Sequence, residues 1–186
     1  MPQQEFNLLD KFIRYLRLRK ILPYLKENDI VCDLGCGDGS ILKFLSSKIK
    51  EGYGIDKDVL EFEEKNLRFI RRDITKPLPF ENKKFDVILF LAVLEHLEPS
   101  NSVFNEAWRI LKTGGLFILT TPAPRSRSLL EFLAFRLKII SRKEIKGHKH
   151  YYSKQELIEL LDRHNFKILK LESFCLGFNT LAVAQK

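Results

Sequence analysis

A chain of 186 residues, 45% hydrophobic and 30% charged, suits one globular domain and excludes a wholly disordered or collagen-like polymer. No stretch approaches the roughly 20 apolar residues of a membrane-spanning helix, and the N-terminus carries charges where a signal peptide has its apolar core. The net charge of +8 is concentrated: residues 122–150 hold eight basic and two acidic side chains, against thirteen and fifteen in residues 29–121. That suggests one basic surface element and makes a nucleic-acid face the weaker reading.

Residues 4–26 place Phe6, Leu9, Phe12, Ile13 and Leu16 at helical spacing, with Arg14, Arg17 and Lys20 on the remaining face, and predict an amphipathic helix. Ile30–Leu34 reads as a short strand, ending in the turn Gly35-Cys36-Gly37-Asp38-Gly39, and Ser40–Ser47 as a helix. Gly52–Ile55 predicts a second strand closed by Asp56. A brief helix over Asp58–Lys65 is expected next, then a third strand, Arg68–Arg71, leading to Asp73. Phe85–Leu91 is the most apolar run and suits a central parallel strand. A helix over Ser102–Lys112, closed by Gly114-Gly115, precedes a fifth strand, Leu116–Thr121.

After Pro124 comes a basic and apolar insertion. Ser153 and Glu156 then have the spacing of a capping box before a helix, and Phe166–Glu172 and Gly177–Ala184 read as closing strands. The expectation is a single α/β domain with a doubly wound, mostly parallel sheet of about seven strands and helices on both faces. Cys32, Cys36 and Cys175 are odd in number, and no His or second Cys pair completes a zinc site. Free thiols, no metal and a reducing compartment, most simply the cytoplasm, are expected.

A glycine loop between strand and helix is the usual nucleotide position, yet Asp33 and Asp38 beside it would repel a pyrophosphate and favour a ligand with a cationic centre. The Lys of a P-loop is missing, and Ser40 stands where a dinucleotide fingerprint has its third Gly. Asp56 follows Gly37 by 19 residues, close to the spacing of a ribose-binding carboxylate. Asp56 and Asp73 both end strands at the edge where open α/β sheets bind ligands. The alternative for any one of them is a helix cap or turn residue.

Val31-Cys32-Asp33-Leu34-Gly35-Cys36-Gly37-Asp38-Gly39 resembles the first motif of class I S-adenosylmethionine-dependent methyltransferases, and Asp56 and Asp73 match their acidic positions. Phe85–Ile88, Leu94-Glu95-His96-Leu97, Leu111–Gly115 and Gly147–Ser153 resemble the small-molecule branch related to quinone-biosynthesis enzymes. Asn165-Phe166 departs from the Gly-Phe usual there, which bears on a helix ending. The resemblance implies a Rossmann-like methyltransferase fold with S-adenosyl-L-methionine as cofactor. Gly35 and Gly37 would pack against its methionine part, Asp33 would orient its ammonium, and Asp56 would bind its ribose. Asp73 and Ile74 would read the adenine, and Leu91 would line the methionine.

Methyl transfer from a sulfonium needs a base only if the acceptor must lose a proton. His96, just past the fourth strand, suits that role, its alternative being a structural imidazole in the Glu95–Pro99 turn. His148, His150 and Tyr151 could close over the acceptor, or form a solvated loop. His164, Asp86 and Trp108 read as structural.

The insertion, 123–150, reads as a lid. Its run Leu129–Ile140 is ringed by Arg125, Arg127, Arg136, Lys138, Arg142, Lys143, Lys146 and Lys149. That suits a small or lipid-like, anionic acceptor, or peripheral contact with an anionic membrane. An ordinary docked helix is the plainer alternative. An RNA-modifying methyltransferase and a catalytically silent binding module are the competing functions.

Overall fold

The computed structural model describes residues 8–98, 102–128, 130 and 147–186. Its strands in chain order are Ile30–Leu34 (β1), Glu51–Asp56 (β2), Phe62–Glu64 (β3), Leu67–Arg71 (β4), Phe85–Leu91 (β5), Leu111–Pro122 (β6), Lys167–Phe174 (β7) and Asn179–Gln185 (β8). The helices are Leu8–Ile21 (α1), Ser40–Leu45 (α2), Ser102–Ile110 (α3) and Lys154–Arg163 (α4), joined by short 3-10 turns. All eight strands share one sheet in the order β3-β4-β2-β1-β5-β6-β8-β7. β4, β2, β1, β5 and β6 run parallel, and the outer strands β3, β8 and β7 pair antiparallel to their neighbours.

Burial follows from the apolar sequence of the inner strands. β5 carries only one polar residue, Asp86, and is buried along nearly its whole length, as a parallel strand covered on both faces must be. One core gathers Tyr53, Phe85, Phe104 and Phe117 with Leu157 and Leu161 of α4. The other gathers Val31, Leu89 and Ile118 with Ile21 of α1 and Leu42 and Leu45 of α2. The chain order reverses between β1 and β5, so the crevice beyond their carboxyl ends is the switch point where such sheets take ligands.

The helix expected over Asp58–Lys65 is a strand instead. Only ten residues separate β2 from β4, fewer than a helical crossover needs. Lys65 turns back with φ of 55°, and Phe62 stacks on Phe69 with centroids 4.4 Å apart. The sheet therefore has eight strands where about seven were expected. α3 stops at Ile110, two residues early, and Gly114-Gly115 lie inside β6 instead of closing the helix. The first helix is described only from Leu8 and gives way at Leu22–Tyr24 to a 3-10 turn containing Pro23.

The capping box forms as the spacing requires, with the Glu156 amide donating to Ser153 Oγ at 3.2 Å and the Ser153 amide to Glu156 Oε2 at 2.7 Å. Asn165 takes φ of 62° just past α4, the left-handed position a Gly would fill and that Asn tolerates. Cys32 and Cys36 are buried, Cys175 is partly exposed, and all three thiols are free. No helix among the described residues is long and apolar enough to cross a membrane.

Candidate functional site

Asp33 sits one residue from the end of β1 and is 1% exposed. Its Oδ2 is buried with no hydrogen-bond partner among the described residues. Burial, with the charge of Asp56 next, raises its carboxyl from 3.8 to about 7, while Arg17 of α1 pulls the other way. A buried carboxylate oxygen without a partner is costly, and here it lies at the switch point. A carboxylate so placed can take a cationic partner.

The glycine loop is held by its own backbone. The amides of Gly35 and Cys36 both donate to the Ile55 carbonyl, at 2.8 and 3.1 Å. A Cβ on Gly35 would stand 2.4 Å from Val93 Cγ2, so only Gly lets the loop close on the segment after β5. At Gly37, by contrast, a Cβ would meet nothing within 4 Å. Asp38 turns away from that space. Its Oδ1 accepts from the Ser40 amide at 3.1 Å and hydroxyl at 2.7 Å, and Arg14 lies against its other oxygen. Of the two acids expected beside the loop, Asp33 is the one with a buried oxygen left unpartnered.

Asp56 ends β2 and ties the loop to the sheet. The Gly37 amide donates to its Oδ2 at 3.0 Å and the Asp58 amide to its Oδ1 at 2.9 Å. A carboxylate has about four acceptor sites, so lone pairs remain for vicinal hydroxyls. Asp73 is exposed, and both the amide and the hydroxyl of Thr75 donate to its Oδ1, at 2.9 and 2.7 Å, which lowers its carboxyl. Ile74 beside it is buried.

Leu91 closes β5, paired with Thr120 of β6. Ala92 then adopts φ of 58°, a strained setting for a residue with a Cβ. The turn drives Val93 against Gly35 and delivers Leu94–His96 as a 3-10 turn.

There the structure gathers residues from three elements. Glu95 is 1% exposed and accepts from Thr121 Oγ1 at 3.2 Å, and burial lifts its carboxyl to about 7. His96 and His148 meet edge to face with centroids 4.8 Å apart. His148 Nδ1 lies 2.9 Å from the Tyr151 hydroxyl. Burial lowers both imidazoles, His148 to about 4, while a bond to the Gly147 backbone works against the shift at His96. Both shifts favour the neutral imidazole.

His150 goes elsewhere. Its Nε2 pairs with Glu156 Oε1 at 2.8 Å, at the start of α4. Of the expected acceptor residues, the fold thus joins His96 to Tyr151 through His148. Glu95 stands in sequence only as part of the Leu94-Glu95-His96-Leu97 stretch, with nothing to mark it for a role of its own. His164 is structural, bonded to Asn105 at 3.0 Å and stacked on Phe104. Asp86 holds the Ile30 amide and Lys112 at the opposite edge of the sheet.

Most of the basic insertion lies outside the described residues, Arg136, Lys138, Arg142, Lys143 and Lys146 included. Two of its expected cations are engaged. Arg125 donates to the carbonyls of Leu176 and Gly177 in the β7–β8 turn, and Lys149 pairs with Glu98 at 2.8 Å. The Lys149 amide also donates to the Glu95 carbonyl at 2.7 Å.

Residues 4–171 match the methyltransferase domain family. A ubiquinone biosynthesis O-methyltransferase of Pelagibacter ubique is 25% identical over 97% of this chain and 80% of its own length. A protein of Methanocaldococcus jannaschii without assigned function is 31% identical over 74% of this chain and 64% of its own. The chain spans less than half the length of several curated relatives it matches, 44% and 37% in two cases. A solved SAM-dependent methyltransferase from Archaeoglobus fulgidus shares the fold with a TM-score of 0.73, at 21% identity, over 95% of this chain and 94% of that one.

Proposed function

The chain belongs to the methyltransferase-domain family, and from that premise we propose that it transfers a methyl group from S-adenosylmethionine to a small or lipid-like acceptor. The observation that carries this reading is Asp33, a buried carboxylate with an unpartnered Oδ2 beside an open glycine loop. That arrangement fits a donor bearing an ammonium and a sulfonium, and disfavours a pyrophosphate.

Asp33 would hold the ammonium, Gly35 and Gly37 would flank the methionine part beside Leu91, and Asp56 would accept from the ribose. Asp73 and Ile74 would bound the adenine. When bound, the donor supplies an electrophilic methyl group with a good leaving group, so the protein's part is chiefly alignment. His96 would take up an ionisable acceptor proton, with Tyr151 positioning the neighbouring imidazole through its bond to His148 Nδ1; His150 would act beside them by fixing the start of α4. The basic, apolar composition of residues 123–150 favours an acceptor with apolar and anionic parts.

Calorimetry tests the donor assignment. The chain is expected to bind S-adenosylmethionine and its demethylated product and to give no heat with NAD. Asp56→Ala should weaken donor binding about 10–100-fold, by losing charge-assisted hydrogen bonds. Unchanged affinity in that variant would remove the ribose role of Asp56.

Asp33 adds a pH signature. Its carboxyl, raised to about 7, is neutral at lower pH and then gains little from an ammonium. Donor affinity should therefore rise as pH climbs through about 7, and binding at about pH 6.5 should release a proton, read as a buffer-dependent heat. Stability follows the opposite sign. Between 3.8 and about 7 the folded chain keeps a proton that the unfolded chain has lost, so this group's contribution declines as pH rises through that window. Asp33→Asn should lose donor binding and flatten the decline. A donor affinity independent of pH across the window contradicts the assignment.

A further inference from the structure

We propose that Glu95, His96 and His148 form a binding site for one divalent transition-metal ion. The inference rests on the reading that the acceptor enters beside these residues, and it names what the two imidazoles do there.

One ligand atom from each residue can be chosen so that all three lie within 4.8 Å of one another. Zinc bonds of 2.0–2.2 Å in a tetrahedral site put neighbouring ligand atoms about 3.4 Å apart. Closing on an ion therefore asks for movements of about 1.4 Å at most, within reach of side-chain rotation. The donor set, two imidazoles and one carboxylate, suits zinc or ferrous iron and is poorly matched to magnesium or calcium. Three protein ligands also leave a position open, the pattern of catalytic rather than structural sites.

Supporting contacts are already in place. Tyr151 engages His148 Nδ1 at 2.9 Å, and the Gly147 backbone engages the His96 ring. Each imidazole thus has one nitrogen occupied, which orients the other. Thr121 Oγ1 holds Glu95 Oε2 at 3.2 Å. The Lys149 amide, bonded to the Glu95 carbonyl at 2.7 Å, fastens the segment bearing His148 to the turn bearing the other two. Ligands separated by about fifty residues in sequence are in this way stapled together, which explains why no metal spacing is visible in the chain.

One carboxylate against a divalent ion leaves the loaded site positive, and Arg17, Lys57 and Lys149 add to that field. The open position would accordingly favour an anionic oxygen. The class of acceptor that follows is an acidic hydroxyl, a phenol or enol, whose proton the ion displaces to water and whose oxygen then attacks the methyl.

The test uses the full chain, stripped with a chelator and titrated with zinc chloride in a calorimeter, with magnesium chloride as comparison. One zinc ion per chain is expected, with magnesium bound at least 100-fold more weakly. His148→Ala and His96→Ala should each weaken zinc at least tenfold, and cobalt substitution should give visible bands that His148→Ala abolishes. Zinc should raise the unfolding temperature of the parent chain and not of His148→Ala, which separates site loss from misfolding. No zinc heat, or zinc binding that survives both His variants, overturns the site. Loss of turnover in His96→Ala without zinc binding would overturn the metal and keep the acid–base reading. Zinc binding by the native site with turnover indifferent to both His variants would keep the site and discard its place at the acceptor.

Discussion

His96→Ala is expected to lower methyl transfer by about 10²–10⁴-fold while donor affinity stays unchanged, the range for losing a group that removes the acceptor proton, directly or through a bound ion. The separation follows from placement. Donor contacts are assigned to the ends of β1, β2 and β5 and to Asp73 and Ile74, whereas His96 stands in the turn beyond Leu91, its ring centroid 4.8 Å from that of His148. Tyr151→Phe should reduce turnover less, since the phenol reaches the site through His148 Nδ1, 2.9 Å from its oxygen. Single-turnover rates with donor-saturated protein make the measurement. A fall in unfolding temperature that tracks the loss of activity would assign His96 to structure instead. Burial of the ring does not by itself decide between the roles, which is why both quantities must be read.

Two glycines in one loop are expected to fail differently, one chiefly in stability and the other chiefly in donor binding. Gly35→Ala should destabilise the fold by about 2–5 kcal/mol, combining left-handed strain of about 1–2 kcal/mol with overpacking of about 1–3 kcal/mol. The cause is specific: φ is +81° and the new methyl would lie 2.4 Å from Val93 Cγ2. Val93→Ala in the same chain should return the overpacking part and leave the strain. Gly37→Ala has φ of +56° but no neighbour within 4 Å of its Cβ. Its stability loss should stay near 1–2 kcal/mol, while donor binding falls tenfold or more because the methyl occupies ligand space. Urea unfolding and calorimetry on the two variants give the comparison. Equal donor affinity in Gly37→Ala and the parent would show that this side of the loop does not meet the donor.

The strands, the glycine loop and its acids were legible because their signals are local. Apolar runs closed by Gly or Asp mark strand ends, and Asp33, Asp56 and Asp73 fall at such ends whatever the rest of the chain does. Phe62–Glu64 was misread because two Glu after a Phe suit a helix as well as an edge strand. What decided it was the short tether to β4 and the stacking of Phe62 on Phe69. The acceptor end was only half legible. His148 and His150 look equivalent in sequence, yet one meets His96 and the other Glu156, a choice made by how the segment crosses the Glu95 turn. Glu95 and the Val93–Gly35 contact belong to the turn forced by Ala92, whose positive φ has no sequence cue. Arg125 and Lys149, expected to ring the apolar run of the insertion, instead bond carbonyls of the β7–β8 turn and Glu98 once the fold brings these together.

Those last two contacts bear on how the acceptor half could diversify. Arg125 grips the β7–β8 turn at one end of the insertion, and Lys149 grips the Glu95 turn at the other. Both bonds are made by described residues at either end of the insertion, so the fold itself fixes where its two ends sit. The glycine loop meanwhile keeps its own bonds to Ile55 and Asp56. An engineer exchanging the stretch with a relative's would cut the chain inside these two posts and leave the bonds that seat its ends untouched.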